Sequence, residues 1–349
     1  MLRQIFIILN DKLVYQRKYA KGLDNFLFKN VYQIVKSMEL SKSGTEVGIF
    51  EFYKYKLSYI VDEYSDFIIL FVSGLIDDFK EIEPQLIKFK KQFLEYYGED
   101  LKKEDFKIVN EVLDPIVDNI HSNLKPKISL VGFSGVGKTT TTTLIKSEEI
   151  PMKHIPTITG KVATIKIGKL SFFLWDFAGQ DQFDFLWEKF IEGSEAVLLM
   201  TDSTLENLEK SRFFIELINK SVPYARFAVI ANKQDLPDAM KVEDIERLMG
   251  SKAYSFVAID SNNRPKMIRI IADLLDIDIR VSPLLKPLHE RECLMDEAQK
   301  ALEGGEFEEV AKLFEMISNL CLELGDDSLA IDFQSKSEKI NSMLQSFIS

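Results

Sequence analysis

Residues 128–143 read ISLVGFSGVGKTTTTT. An apolar run gives way to a glycine loop, a lysine and a row of threonines. The spacing fits GxxxxGK[ST], with Gly132, Gly137, Lys138 and Thr139 in place. A strand that feeds such a loop into a helix lets backbone N–H groups converge on phosphate oxygens. The candidates are the groups across Ser134, Gly135, Val136 and Gly137. The helix N-terminus adds a favourable dipole. In that reading Lys138 reaches the β- and γ-phosphates and the Thr139 hydroxyl binds Mg²⁺. Thr140 is expected to line the site, and Thr141 to Thr143 to lie on the helix surface. The loop by itself does not choose between ATP and GTP.

The base is chosen further along, by NKQD at 232–235, after the apolar run FAVIA. A carboxylate at Asp235 accepts two hydrogen bonds from guanine, from N1–H and the N2 amine. Adenine has an acceptor at N1 and no such amine. A site built on hydrogen bonds rejects a mispaired analogue by about 10⁴-fold or more. Asn232 is expected to brace the loop, and the Lys233 stem to pack on the ring face. WDFAGQ at 175–180 supplies a third part. There Asp176 would hold Mg²⁺ through water, the Gly179 N–H would touch the γ-phosphate, and Gln180 would orient the attacking water. Thr157, in IPTITG, is the candidate switch threonine on Mg²⁺ and the γ-phosphate, with Thr159 as competitor. The catalytic set is thus Gln180, Lys138 and Thr157, and the metal set Thr139, Thr157 and Asp176.

With these residues in view, the segments IPTITGKVATI, FFLWDFAGQDQFDFLW, MTDSTLENLEKSR and NKQDLPDAM resemble the Arf branch of small GTPases. The resemblance covers most of 125–260. It implies GTP and GDP as ligands with Mg²⁺, switch I at Pro156–Ile158 and switch II from Trp175 to Phe190. It also implies activating, exchange and effector partners that act through the switches. Two departures stand out. Ala178 replaces the first glycine of WDxGGQ, and Gly160 stands where an aromatic is expected in switch I, leaving Trp175 and Phe190 as the other two effector aromatics. In place of a clean SAK motif the chain has FVAIDSNN, where Ala258 is the best assignment.

Around this centre the chain divides into three pieces, 1–122, 125–280 and 283–349, with a short link expected around Asn119–Pro126. The first reads ββαβββαα. It opens MLRQIFIILNDKLVYQRKY, two β-rich runs joined at Asn10-Asp11, and resembles the longin family of trafficking proteins; roadblock domains are a related alternative that opens with a helix. The second alternates strands and helices, which argues a mostly parallel sheet between helices. In the third, Gly304-Gly305 and Gly325 separate three helices, and ALEGGEFEEVAKLF with ELGDDSLAIDF resembles a tetratricopeptide-type hairpin. The fold class is α/β, a P-loop GTPase domain flanked by an α+β longin-like domain and an all-α segment. Longin-type domains contact Arf-like GTPases in resembling systems, so a nucleotide-dependent contact in cis is expected.

Composition narrows the rest. The net charge is −11, and 283–349 holds six Lys/Arg against fourteen Asp/Glu. Such a tail seeks neither nucleic acid nor anionic lipid on its own. Two cysteines outside any CxxC pair indicate no disulfide framework, which fits a cytoplasmic setting. No apolar run reaches the roughly 18 residues of a membrane span, and neither a glycine at position 2 nor a CaaX cysteine offers a lipid anchor. Any membrane role is then peripheral or through partners. His289 and Cys293 are four apart on a helix, half a metal site at most. No arginine lies between Arg17 and Arg212. The loop and both switches therefore lack a cis arginine finger, a group worth about 10³–10⁵ in rate, and intrinsic turnover without one is on the order of 10⁻⁴ s⁻¹. The expectation is a slow GTP hydrolase switch sped by a partner. A trafficking adaptor that holds GTP structurally with negligible hydrolysis is the alternative, and an ATPase a distant third.

Overall fold

The computed structural model describes residues 1–39, 45–62, 67–101, 103, 106–146, 162–167, 169–175 and 184–348. The chain forms two compact units. One holds Met1–Pro126 with Leu275–Pro283, the other Lys127–Leu274 with Leu284–Ser349.

The first unit is an antiparallel sheet with helices on both faces. In chain order it runs β1 (Leu2–Leu9), β2 (Lys12–Lys18), α1 (Asn25–Glu39), β3 (Thr45–Phe52), β4 (Tyr55–Asp62), β5 (Phe67–Gly74), α2 (Phe79–Tyr97) and α3 (Asn110–Asn123). The sheet order is β2-β1-β5-β4-β3. Because strand side chains alternate, Ile5, Ile7, Ile69 and Phe71 face α2 and α3, while Phe6, Leu70 and Val72 face α1. Two covered faces explain why β5 reads as an unbroken apolar run. The link expected around Asn119–Pro126 is shorter than that, since 119–123 complete α3 and Ile120 and His121 are buried.

A polar network runs through this unit. Arg17 forks onto Asp118, Nε to Oδ1 at 2.8 Å and Nη2 to Oδ2 at 2.9 Å, and also donates to Asp114. Burial is the largest single influence and works against the Arg17 charge, but the hydrogen bonds and charge interactions with Asp118 and Tyr19 together outweigh it and hold its pKa above the ordinary value. His121, which looks isolated in the sequence, stacks on Tyr19 at 3.9 Å. Its ring nitrogens meet Leu2 O and Ser282 Oγ at 2.7 Å each. Leu275–Pro283 is thereby held to the first unit, and an Ala20–Ile277 bridge and the Asp278 N–H on Tyr19 O (2.7 Å) add to that hold.

The second unit carries a six-stranded sheet built from β6 (Lys127–Val131), β7 (Val162–Ile167), β8 (Leu170–Trp175), β9 (Ala196–Thr201), β10 (Arg226–Ala231) and β11 (Ala253–Ser255), in the order β11-β10-β9-β6-β8-β7. All neighbours are parallel except β7 and β8, whose short connection permits only a hairpin. The helices are α4 (Lys138–Lys146), α5 (Asp184–Ile191), α6 (Leu205–Ser221), α7 (Val242–Met249) and α8 (Arg264–Leu275), then α9 (Lys286–Gly304), α10 (Phe307–Leu324) and α11 (Asp327–Ile348). Gly305 and Gly325, at φ 75° and 76°, end α9 and α10 as left-handed caps. Val310, Leu313, Ile317 and Cys321 form the buried stripe of α10.

Burial raises the Cys321 thiol from 9.0 to about 11. Between those values the unfolded chain releases a proton that the fold retains, so stability falls as pH climbs through that window. Alkylation in mildly alkaline buffer is expected to modify exposed Cys293 and spare Cys321 until denaturant is added. Equal rates at both thiols in the folded chain would contradict this packing.

Candidate functional site

Parallel pairing brings the C-terminal ends of the central strands to one edge of the sheet, where α/β proteins bind ligands. The register pairs Val131 with Leu199, Thr201 with Ala231, and Ala231 with Ser255. The loops after β6, β9, β10 and β11 therefore meet.

After β6 the chain passes Gly132 at φ 141° and Gly137 at φ 101°. A Cβ on Gly132 would stand 2.3 Å from Met200 O, and one on Gly137 would stand 2.3 Å from the Asn232 amide nitrogen. Both positions need glycine, for conformation and for space. Gly135, at φ 81°, has open space around it. Lys138 is only 3% exposed. Its ammonium donates to Gly132 O and Phe133 O, both at 2.8 Å, which holds the cation over the loop. Thr139 is exposed at the start of α4 and Thr140 is half-buried. Thr141 and Thr142 depart from the surface position expected of them, being 1% exposed each. Their hydroxyls turn back onto Gly137 O at 3.0 Å and Thr139 O at 2.7 Å. Satisfied this way, a threonine tolerates burial.

Asn232 ties the loops together. It is 2% exposed. Its Nδ2 donates to Val136 O at 2.8 Å, and its Oδ1 accepts from the Ala258 N–H at 2.9 Å. The phosphate-type loop and the loop after β11 are thus joined through one amide. Its own carbonyl accepts from Ser203 Oγ at 2.5 Å. Ser203 lies in the MTDSTLENLEKSR segment, whose pattern gives no sign of this bond. Lys233 sits at φ 61°, a left-handed turn rare for a non-glycine residue. The Gln234 N–H bonds Phe256 O at 3.2 Å. Asp235 follows with its carboxylate exposed.

The structure therefore assembles Gly132, Ser134, Gly135, Val136, Gly137, Lys138, Thr139 and Thr140 with Asn232, Lys233, Asp235 and Ala258 along one sheet edge. Thr157, Thr159, Asp176, Ala178, Gly179 and Gln180 lie outside the described residues. Phe190, an expected effector aromatic, is instead buried in the core beside Trp187. His289 and Cys293 approach to 3.8 Å, and among the described residues no cluster of three or more His, Cys, Asp or Glu could hold a metal. The glycine cradle and the buried lysine offer donors of the kind that suit phosphate oxygens, the Asp235 carboxylate is an acceptor, and the Thr139 hydroxyl suits Mg²⁺.

Residues 113–271 match the model of the ADP-ribosylation factor family. The match covers less than half of the 349 residues and begins inside α3. It supports a GTP-binding GTPase switch of the Arf-like kind in this segment.

Gly137→Ala is expected to weaken nucleotide binding and lower the unfolding midpoint clearly more than Gly135→Ala. Both have positive φ, but only Gly137 lacks room for a methyl. Denaturant titrations of the two variants read the difference, and equal effects would show that the Asn232 contact does not constrain the loop.

Proposed function

We propose that the central body binds GTP and Mg²⁺, hydrolyses GTP slowly, and cycles between GTP and GDP states to recruit partners in membrane traffic or signalling. The observation that carries this reading is the Asn232 bridge. It joins the 132–137 loop to the loop after β11, and Asp235, which is exposed, follows three residues later in the chain.

In this reading the N–H groups of the 132–137 loop and Lys138 hold the phosphates. Asp235 pairs with guanine, Lys233 covers its ring, and the loop at Ala258, held through its N–H on Asn232 Oδ1, borders the base edge. Thr139, with Thr157 and Asp176, holds Mg²⁺. Gly179 contacts the γ-phosphate, and Gln180 orients water for attack. Lys138 stabilises charge as the γ-phosphoryl group leaves. Among the described residues no helix is long and apolar enough to cross a membrane, so membrane contact is proposed to run through partners. The ββαβββαα order of the first unit supports a longin-like interaction module.

The placement of two arginines supports a low rate. Arg264 and Arg291 approach α4 at its C-terminal turn, on the carbonyls of Leu144 and Ile145. That is the end opposite Lys138, so neither serves as a finger on the phosphates.

Single-turnover hydrolysis by the full chain with Mg²⁺ is expected on the order of 10⁻⁴ s⁻¹. A rate hundreds of times higher would require a catalytic cation in cis and overturn the slow-switch reading. Undetectable hydrolysis with tight GTP binding would favour a structural nucleotide. Asp235→Asn is expected to weaken GTP by about 10²-fold or more and to gain xanthosine triphosphate, whose C2 carbonyl accepts from the new amide. Unchanged GTP affinity would remove Asp235 from base recognition.

A further inference from the structure

Arg291 is the largest fully buried side chain among the described residues, at 0% exposure. It belongs to α9, in the C-terminal helices that no part of the proposed hydrolysis uses. Its guanidinium donates through Nη2 to Ile145 O at 3.1 Å and through Nη1 to Asp326 Oδ2 at 2.6 Å, with Nε on Glu292 Oε1 at 3.2 Å. Arg264, at the start of α8, donates through Nε to Leu144 O at 2.8 Å and pairs with Glu292 Oε2 at 3.6 Å. Two guanidiniums and two carboxylates thus form one connected set. It joins α8, α9 and the α10–α11 turn to the last turn of α4.

What they grip is the helix that begins at Lys138. The last carbonyls of a helix have no partner within it and must find one outside. Cations are also favoured there by the helix dipole, as anions are at the other end. Nine residues rich in threonine make a poor helix alone, since isolated helices shorter than about 12–15 residues are marginal and β-branched residues are weak formers. The placement of α4 therefore depends on what holds its two ends. The N-terminal end meets the loop and Asn232, and the C-terminal end meets Arg264 and Arg291. The distance between Lys138 and Ile145 along the axis is about 10 Å, so a shift at one end reaches the other with little loss.

We propose that Arg291, supported by Asp326 and Glu292, is a positioning residue for the nucleotide site. The C-terminal helices set the seat of α4 through it, and so set how long the nucleotide stays bound. This rests on the reading of the 132–139 loop as a nucleotide site. A partner or modification that loosened α9–α11 would release nucleotide, and bound nucleotide would in turn tighten those helices, since coupling is reciprocal.

The test is dissociation of a fluorescent GDP from the full chain, measured for wild type, Arg291→Met, Arg291→Lys, Asp326→Asn and Ser337→Ala. Ser337 serves as the control. It is buried in the same helices and bonds Ala311 O at 2.8 Å, away from α4. Release is expected to be about tenfold faster in Arg291→Met, intermediate in Arg291→Lys and Asp326→Asn, and unchanged in Ser337→Ala even where its melting point falls. If Arg291→Met does not fold, Asp326→Asn against Ser337→Ala decides. Faster release in the first alone supports the proposal, and equal release in both overturns it. Wild type that binds no guanine nucleotide overturns the site reading and this proposal with it. Wild type that binds, with release unchanged in the Arg291 and Asp326 variants, overturns this proposal alone.

Discussion

One carboxamide organises the candidate site. Asn232 donates to the Val136 carbonyl and accepts from the Ala258 N–H, within a pocket too tight for a methyl on Gly137. A buried amide with donor and acceptor both paired contributes modestly in net terms. Leaving either partner unpaired in the interior costs about 1–3 kcal/mol. That asymmetry fixes the spacing between the phosphate-type loop and the base-side loop. Lys138 is held on the Gly132 and Phe133 carbonyls of the first loop, while Lys233, at φ 61°, and Asp235 follow Asn232 in the chain. The parallel sheet brings the loops to one edge, and the amide sets them in register.

The same helix that begins in this frame ends in another. Backbone N–H donors gather at its N-terminus, and two arginines cover its C-terminus. Burying opposite charges gains little over an apolar core of equal volume, but breaking one member strands the others and costs about 3–5 kcal/mol. Such a cluster enforces a particular arrangement more than it adds stability. It explains why α9–α11 fall into one compact unit with the sheet, while Leu275–Pro283 falls into the other through Ser282, Asp278 and Ile277.

Much of this was legible in the residues. The alternation of apolar positions gives the strand and helix order of the first unit, and the glycines at 304–305 and 325 mark the turns between the last helices. GxxxxGK[ST] and NKQD name the loops that the sheet later brings together. Local pattern misses what depends on distant partners. Thr141 and Thr142 look like surface because their polarity is local, whereas the carbonyls that satisfy them appear only once the helix is wound. Asn119 looks like a linker residue because its polarity hides the buried Ile120 and His121 beside it. Arg291 and Ile145 are 146 positions apart, and His121 and Ser282 are 161 apart. No spacing rule reaches across such separations.

Selection of guanine at this edge of the sheet is the property on which the proposed function turns. Titration calorimetry of the full chain with GDP and with ADP, in Mg²⁺ buffer, tests it most directly. One GDP site is expected, with ADP weaker by about 10⁴-fold or more, because adenine would leave the Asp235 carboxylate without its two donors. Binding of GDP and ADP with similar affinity would contradict it.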